Sequence, residues 1–547
     1  MPRIFRYRWL ILGVIILGLV SFLVLRVFSF PLSGHTSSPS DNGKPAMTGS
    51  TPHVTSTPTH TANPPGAGTQ GPLRLSSDPY TNDGSQHQVE VEPGSYSYGS
   101  TIVTAFQAGR FRDFGSSNIG WATSTDGGTT WQSGFLTGTT RVAGGPYDRI
   151  TDPAVTYDAA HDTWMIATVV FQETAAGFNA RAVLVSLSTN GGTTWSNPVI
   201  IADVGTRGEL DKEWIVCDNT PTSVFYGNCY AEWDDYTRGD LIQMSTSKDG
   251  GRTWGAAKTT TDQASGTSGY PLVQPDGKVI VPISNGDQTA IIIFSSTDGG
   301  ESWSRTSTFT AVTSFSKDAF FTDNILLNAE VDGAGTIYLV WVDCRFEADC
   351  HGNDLVMTTS TNGITWTSIR RIPIAPMGSG INYYVSGLGV DKDTSGTTAH
   401  LALAFYYYSA DCFTNCKLSV GFVLSTNGGD SWTPKVQLTG PMSADWIAQG
   451  NNKVGDYITT SFSGGKAFPI FSLISQEQVW TIWIGTIFVN EEVRRFDVAV
   501  NNPVIVGKLQ RGSRLTHKMT TILRRERAGF VPLFVTRLPA FHPGKRA

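Results

Sequence analysis

The sequence lacks most of the short signatures that announce a reaction. It contains no Gly-x-Ser-x-Gly elbow, no His-Glu-x-x-His, no phosphate loop after a strand and no dinucleotide fingerprint. Those absences set aside the hydrolases, zinc proteases, nucleotide enzymes and dehydrogenases that depend on them. No Cys-x-x-Cys occurs, and no His is placed to complete a tetrahedral set with the six Cys. No metal and no cofactor is therefore expected. Charged residues make up only 16% of the chain, and helical spacing is missing over any useful length after residue 30. Long apolar runs are as scarce: one, Trp9–Leu25, stands near the start.

What the chain has instead is turns and repetition. Fifty-eight Gly among 547 residues suit an all-β protein. The stretch Ser124–Trp131 reads S-T-D-G-G-T-T-W and returns at Ser188–Trp195, Ser247–Trp254, Ser296–Trp303 and Ser425–Trp432. A copy one residue short runs from Ser360 to Trp366. From each Asp or Asn to the next the gaps are 64, 59, 49, 64 and 65 residues, the mark of a repeat architecture. Within each copy Gly128, Gly192, Gly251, Gly300 or Gly429 supplies a backbone conformation that other residues adopt only with strain. Asp126 or Asn190 can fold back on nearby N–H groups, and the closing Trp can pin the turn against its own sheet. Strand candidates lie between the copies: Ser100–Gln107, Trp164–Phe171, Ala182–Leu187, Lys278–Ser284, Thr336–Val342, Ala399–Tyr407 and Lys417–Leu424.

These copies look like Asp boxes (BNR repeats), and residues 76–488 resemble the sialidase superfamily of six-bladed β-propellers. The resemblance implies an all-β, six-bladed β-propeller whose boxes are structural hairpins. It also implies chemistry on a glycan or glycoprotein.

The two ends differ from this middle. Arg3, Arg6 and Arg8 precede the apolar run and Arg26 closes it. No small-x-small cleavage site follows, so residues 1–30 read as an uncleaved transmembrane signal anchor with the remainder outside. Localisation at the cell membrane is expected, or secretion if the segment is cleaved. Residues 31–75, rich in Ser, Thr, Pro and Gly, read as a disordered linker. Residues 489–547 form a basic tail with twelve Lys and Arg against four acids, whereas residues 72–488 carry 23 basic and 41 acidic residues. An exported, acidic body argues against nucleic acid as a partner, and a monomer is expected. In such a chain the close pairs Cys217 and Cys229, Cys344 and Cys350, and Cys412 and Cys416 suggest three local disulfides.

Sialidases use a Tyr nucleophile with a carboxylate partner, an Asp acid and base, and three Arg on the substrate carboxylate. By resemblance Asp113, eleven residues before the first box, takes the acid and base role, and Tyr457, after the last box, the nucleophile's. Glu330 or Glu232 would accept the Tyr proton. Arg345, Lys417, Arg149 and Arg110 are the cations available for substrate. The stretch Gln86–Pro93 has no Arg where sialidases carry Arg-Ile-Pro, and Glu90 and Glu92 stand there instead.

Three readings follow. The first is an extracytoplasmic exo-sialidase-like glycoside hydrolase. The second is a non-catalytic propeller that binds glycan or protein through aromatics such as Trp233, Tyr236, Tyr383 and Tyr384. The third is a glycosidase for a neutral or cationic sugar, which the acidic body suits, using paired carboxylates such as Asp113 with Asp211 or Glu213.

Overall fold

A computed structural model describes residues 72–489, apart from 176, 206, 316–324, 413–415, 445–453 and 477–478. The expected anchor, the linker up to 71 and the tail from 490 lie outside the described residues. Among those described, no helix is long and apolar enough to cross a membrane.

The described chain is strands joined by turns, with four single-turn 3-10 helices. All seven strand candidates are strands. Successive antiparallel strands group into seven sets. Set one is Glu90–Tyr98, Thr101–Arg110, Ser116–Ser124 and Gln132–Phe135. Set two is Arg149–Asp158, Thr163–Thr174, Gly177–Ser188 and Val199–Asp203. These two join into one eight-stranded sheet through the pair Ser116 and Ile150. Sets three to six begin with Leu210–Cys217, Gly266–Thr267, Asn328–Val331 and Ile381–Val390. Set seven is Thr459–Ser463, Lys466–Gln476 and Val479–Ile484, with Leu73–Arg74 from the other end of the chain as its fourth strand. First strands touch in cyclic order, with Leu272–Val273 taking this place in set four: sets one and two, two and three, and onward until set seven meets set one.

Seven sets stand where six boxes led us to expect six blades. The reason is local. Each box follows the third strand of its set and, except in set three, leads into a fourth; after the box of set three, Lys258 alone among the described residues forms a β-bridge back, to Met244. In set seven the fourth strand arrives from residues 73–74, so no hairpin exists there to carry a box. Leu75 continues this closure, donating its N–H to Ile482 O at 2.8 Å.

The boxes repeat the hydrogen bonds of their Ser and their Asp or Asn, and in four of the six the Trp indole adds one more, which Trp303 and Trp366 lack. Ser124 Oγ accepts Gly128 N–H at 2.9 Å, Asp126 Oδ1 accepts Thr130 N–H at 2.8 Å, and Trp131 Nε1 donates to Gly128 O at 3.2 Å. Gly128 takes φ 80°, and its four counterparts lie between 77° and 83°, a region closed to most side chains. The box Trp residues do more than hold their own sheets. Trp131 packs with Ile102, Phe468 and Ile482, between sets one and seven, and Trp195 with Val103, Trp164 and Leu184, between sets one and two. Trp254, Trp303, Trp366 and Trp432 continue the series, each in the core shared with the preceding set. Truncating such a residue costs about 3–5 kcal/mol.

The three disulfides pair Cys217 with Cys229, Cys344 with Cys350 and Cys412 with Cys416.

Candidate functional site

Three consecutive first strands carry the same fault. Those of sets one, two and three are bulged after Val91, Thr151 and Asp211. The bulge residue is left-handed in each: Glu92 at φ 59°, Asp152 at 50° and Lys212 at 55°. Holding a side chain there costs on the order of 1 kcal/mol, and such strain gathers at functional sites. Gly94 makes the crowding possible, since a Cβ on it would stand 2.3 Å from Pro153 O of the next set.

Set seven completes the cluster. Asp456 donates its N–H to Glu92 Oε1 at 3.1 Å, and its carboxylate pairs with the Lys212 ammonium. Gln107 donates to Glu92 Oε2 and, at 2.8 Å, to Thr151 Oγ1. Beside these residues lies a cavity of about 370 Å³ whose lining includes Arg110, Asp113, Asp152, Asp211, Tyr236 and Asp456. Among the described residues no group of three or more His, Cys, Asp or Glu is arranged to hold a metal ion.

The carboxyl groups of this cavity differ in acidity. Burial, then repulsion from Asp152 and Asp456, pushes Glu92 up to about 8 against the pull of Lys212 and Arg110. Asp211 is raised to about 6 by the protein packed around it, although its side chain is open to solvent at the cavity; Lys212 opposes the rise, and Asp152 and Asp456 add to it. Asp113 moves the other way. Its partial burial is outweighed by the hydrogen bond and charge of Arg149, which hold it below the usual carboxylate range. Lys212 resists burial and stays well above the ordinary amine value because Asp456, Tyr457, Asp152 and Asp211 surround it.

The structure brings together part of the expected set. Asp113 accepts Arg149 Nη1 at 2.6 Å. The same guanidinium lies over the rings of Phe111, Phe114 and Phe178, at 4.3, 4.8 and 3.7 Å. Arg110 lines the cavity and donates to Phe111 O at 2.9 Å. Tyr457 adjoins Asp456, its ring 5.2 Å from Lys212 Nζ and 5.6 Å from the Trp214 ring. Burial, then the charge of Asp152, pushes its phenol well up. Asp211 is in the cavity wall, and Glu213 is buried within electrostatic reach of Tyr457.

Four expected residues are elsewhere. Glu232 is fully buried on the second strand of set three, packed so closely on Gly269 that a Cβ there would sit 2.5 Å from its carboxyl. Arg345 follows the second strand of set five and binds Asp343 and Ala311 O, each at 2.6 Å. Lys417 starts a third strand and is exposed, 3.4 Å from Ser443 Oγ. None of these three lines the cavity. Glu330 does lie on a first strand. Its partner Lys392, at 3.4 Å, sits over the Tyr96 ring, four residues along from Glu92. The carboxylates near Tyr457 are thus Asp152, Asp456 and Glu213, in place of Glu330 or Glu232. Of the four aromatics, Trp233, Tyr383 and Tyr384 are core, and Tyr236, 65% exposed, lines the cavity.

Comparison with known proteins gives the family. No curated protein sequence matches the chain. Among solved structures, a Hadza microbial sialidase is similar at 16% identity and a TM-score of 0.38, over 74% of this chain and 66% of that one. An ulvan lyase described as a new polysaccharide lyase family is similar at 12% identity and 0.42, over 80% and 98%. The NanB sialidase of Streptococcus pneumoniae gives 14% and 0.37, over 76% and 69%. The family described as the BNR repeat-like domain matches residues 95–311 and, overlapping them, 169–439. The chain belongs to the BNR repeat-like domain family.

Proposed function

We propose that this protein hydrolyses glycosidic bonds in the Asp113–Asp211 cavity, and that its sugar is neutral or cationic. The seven sets are, in this reading, the blades of a seven-bladed propeller. The catalytic body works outside the cytoplasm, where its three disulfides are stable, tethered by residues 1–30. One observation carries the reading: two carboxyl groups line one cavity while their surroundings push their acidities apart. Such a split assigns roles. Asp211, near 6, keeps its proton long enough to give it to the leaving oxygen. Asp113, ionised by Arg149, acts on the anomeric carbon directly or through water. Tyr236 offers a ring to the sugar face.

The choice of sugar follows from charge. The lining holds Asp113, Asp152, Glu209, Asp211 and Asp456, beside a Glu92 that keeps its proton at neutral pH, against Arg110 and Lys212, and Lys212 is already engaged by Asp456. A carboxylated sugar finds no set of Arg forks there. Exo-sialidase action is the second reading, favoured by Tyr457 standing beside Asp456 with Glu213 in reach.

The test is a panel of fluorogenic glycosides offered to the full-length chain: neutral hexosides and pentosides, a glucosaminide and a sialoside. Release from a neutral or amino sugar, lost in Asp113→Asn and in Asp211→Asn, is expected. Sialoside cleavage that survives Asp211→Asn and disappears in Tyr457→Phe would replace this reading with the second. Release from no substrate would leave a binding protein.

A further inference from the structure

The first two box turns border a groove of about 320 Å³, lined by Tyr98, Tyr157, Trp164, Asp162, Thr125 and Asn190 among others. We propose that this groove is a second saccharide site, which holds a neutral oligosaccharide apart from the Asp113–Asp211 cavity.

The first support is a row of rings. Tyr98 and Tyr157 have centroids 4.6 Å apart at 37°, and Tyr157 and Trp164 4.8 Å apart at 39°. Tyr98 is 45% exposed, Tyr157 8% and Trp164 3%, so the row descends from solvent into the wall. Its free edge is a platform for the C–H face of a pyranose, and a large ring left half-exposed suits a ligand with one apolar face.

Hydroxyl-binding groups border the row. The side chains of Thr101, Thr125 and Thr189 line the groove and make no hydrogen bond to the described protein. Each hydroxyl can both donate and accept. Asp162 accepts the Tyr157 hydroxyl at 2.7 Å through Oδ1, and its Oδ2 has no protein donor among the described residues. No Lys, Arg or His lines the groove, and Asp162 is its single carboxylate. That composition disfavours uronic or sulfated sugars and fits uncharged ones.

Position separates the two sites. Tyr98 is six residues beyond Glu92 on the first strand of set one, and Tyr157 five beyond Asp152 on that of set two. At about 3.3 Å per residue this is about 16–20 Å along the strands, so the groove opens at the box end and the cavity at the other. A chain captured in the groove raises the effective concentration of its remaining residues at the cavity. The groove's own evidence does not depend on what the cavity catalyses.

Calorimetric titration of the full-length protein tests this, with cellohexaose, xylohexaose, mannohexaose and maltohexaose as neutral probes and a hyaluronan hexasaccharide as the anionic one. At least one neutral hexaose should bind, and more tightly than the hyaluronan fragment. Tyr98→Ala and, independently, Thr189→Lys at an exposed box position should each weaken it at least about tenfold, a difference of about 1.4 kcal/mol. Asp113→Asn combined with Asp211→Asn should leave that affinity unchanged. The proposal is overturned if no neutral hexaose binds, if the anionic probe binds more tightly, or if the double Asn variant loses binding that Tyr98→Ala and Thr189→Lys keep. A wild-type protein that binds the hexaose and hydrolyses no glycoside would count against the cavity reading alone.

Discussion

Arg149 Nη1 lies 2.6 Å from Asp113 Oδ1. An arginine that resemblance assigns to substrate is here the partner of the carboxylate that resemblance makes the acid. Three phenylalanine rings surround its guanidinium, so its charge is fixed in place and spent on Asp113. A group held low in this way is ionised across the neutral range, the state needed by a base or nucleophile.

Removing that partner should therefore move the acidic limb of the pH–rate profile. In Arg149→Met the Asp113 carboxyl returns toward its ordinary value, so activity appears only at higher pH than in the wild type. The measurement is kcat/KM against pH for whichever glycoside the protein proves to cleave. An unmoved acidic limb would mean that Asp113 does not set it.

The ion pair between Lys212 and Asp456 predicts a stability cycle. Lys212→Met leaves Asp456, Asp152 and Glu92 without their buried cation, and losing one partner of such a pair costs about 3–5 kcal/mol. Lys212→Met with Asp456→Asn should regain more than half of that loss. Urea unfolding of the four proteins reads the coupling. Additive losses would show that the two residues do not act as a pair.

Glu90 gives a pH dependence of the opposite kind. It is fully buried beside Ser76, whose hydroxyl also takes Ile482 N–H at 2.9 Å, and burial raises it to about 8. Unfolded, it ionises near 4.3. The folded state then binds more protons than the unfolded state between those values, so the stability from Glu90 is complete below about 4.3 and is lost as pH rises toward 8. Glu92 adds a slope of the same sign. Glu90→Gln should flatten the fall in melting temperature between pH 5 and 8, and an unchanged slope would contradict the assignment.

How much of this was legible beforehand follows from where information sits in the chain. The box turns were readable because Ser, Asp or Asn, Gly and Trp each do a local task, and local tasks leave local motifs. The seventh set was not, since its closing strand is two residues, Leu73–Arg74, some 400 positions from its partner Trp483. Asp113 and Asp211 were readable as acids near turns. The cluster that shifts Asp211 was missed because its members are far apart in sequence. A signal existed: Glu92, Asp152 and Lys212 stand sixty residues apart, one repeat each. It passes unseen because a β-bulge, with no motif of its own, turns those side chains to one place.

The most direct test of the central claim is whether Asp211 gives a proton to the leaving group. The full-length protein and Asp211→Asn would be compared on two glycosides of the same sugar, one with a poor leaving group and one with dinitrophenolate. A general acid contributes typically about 10²–10⁴-fold. The account predicts a loss of that size on the poor leaving group and less than about tenfold on dinitrophenolate, which needs no proton. Equal losses on both substrates, or none on either, would contradict it.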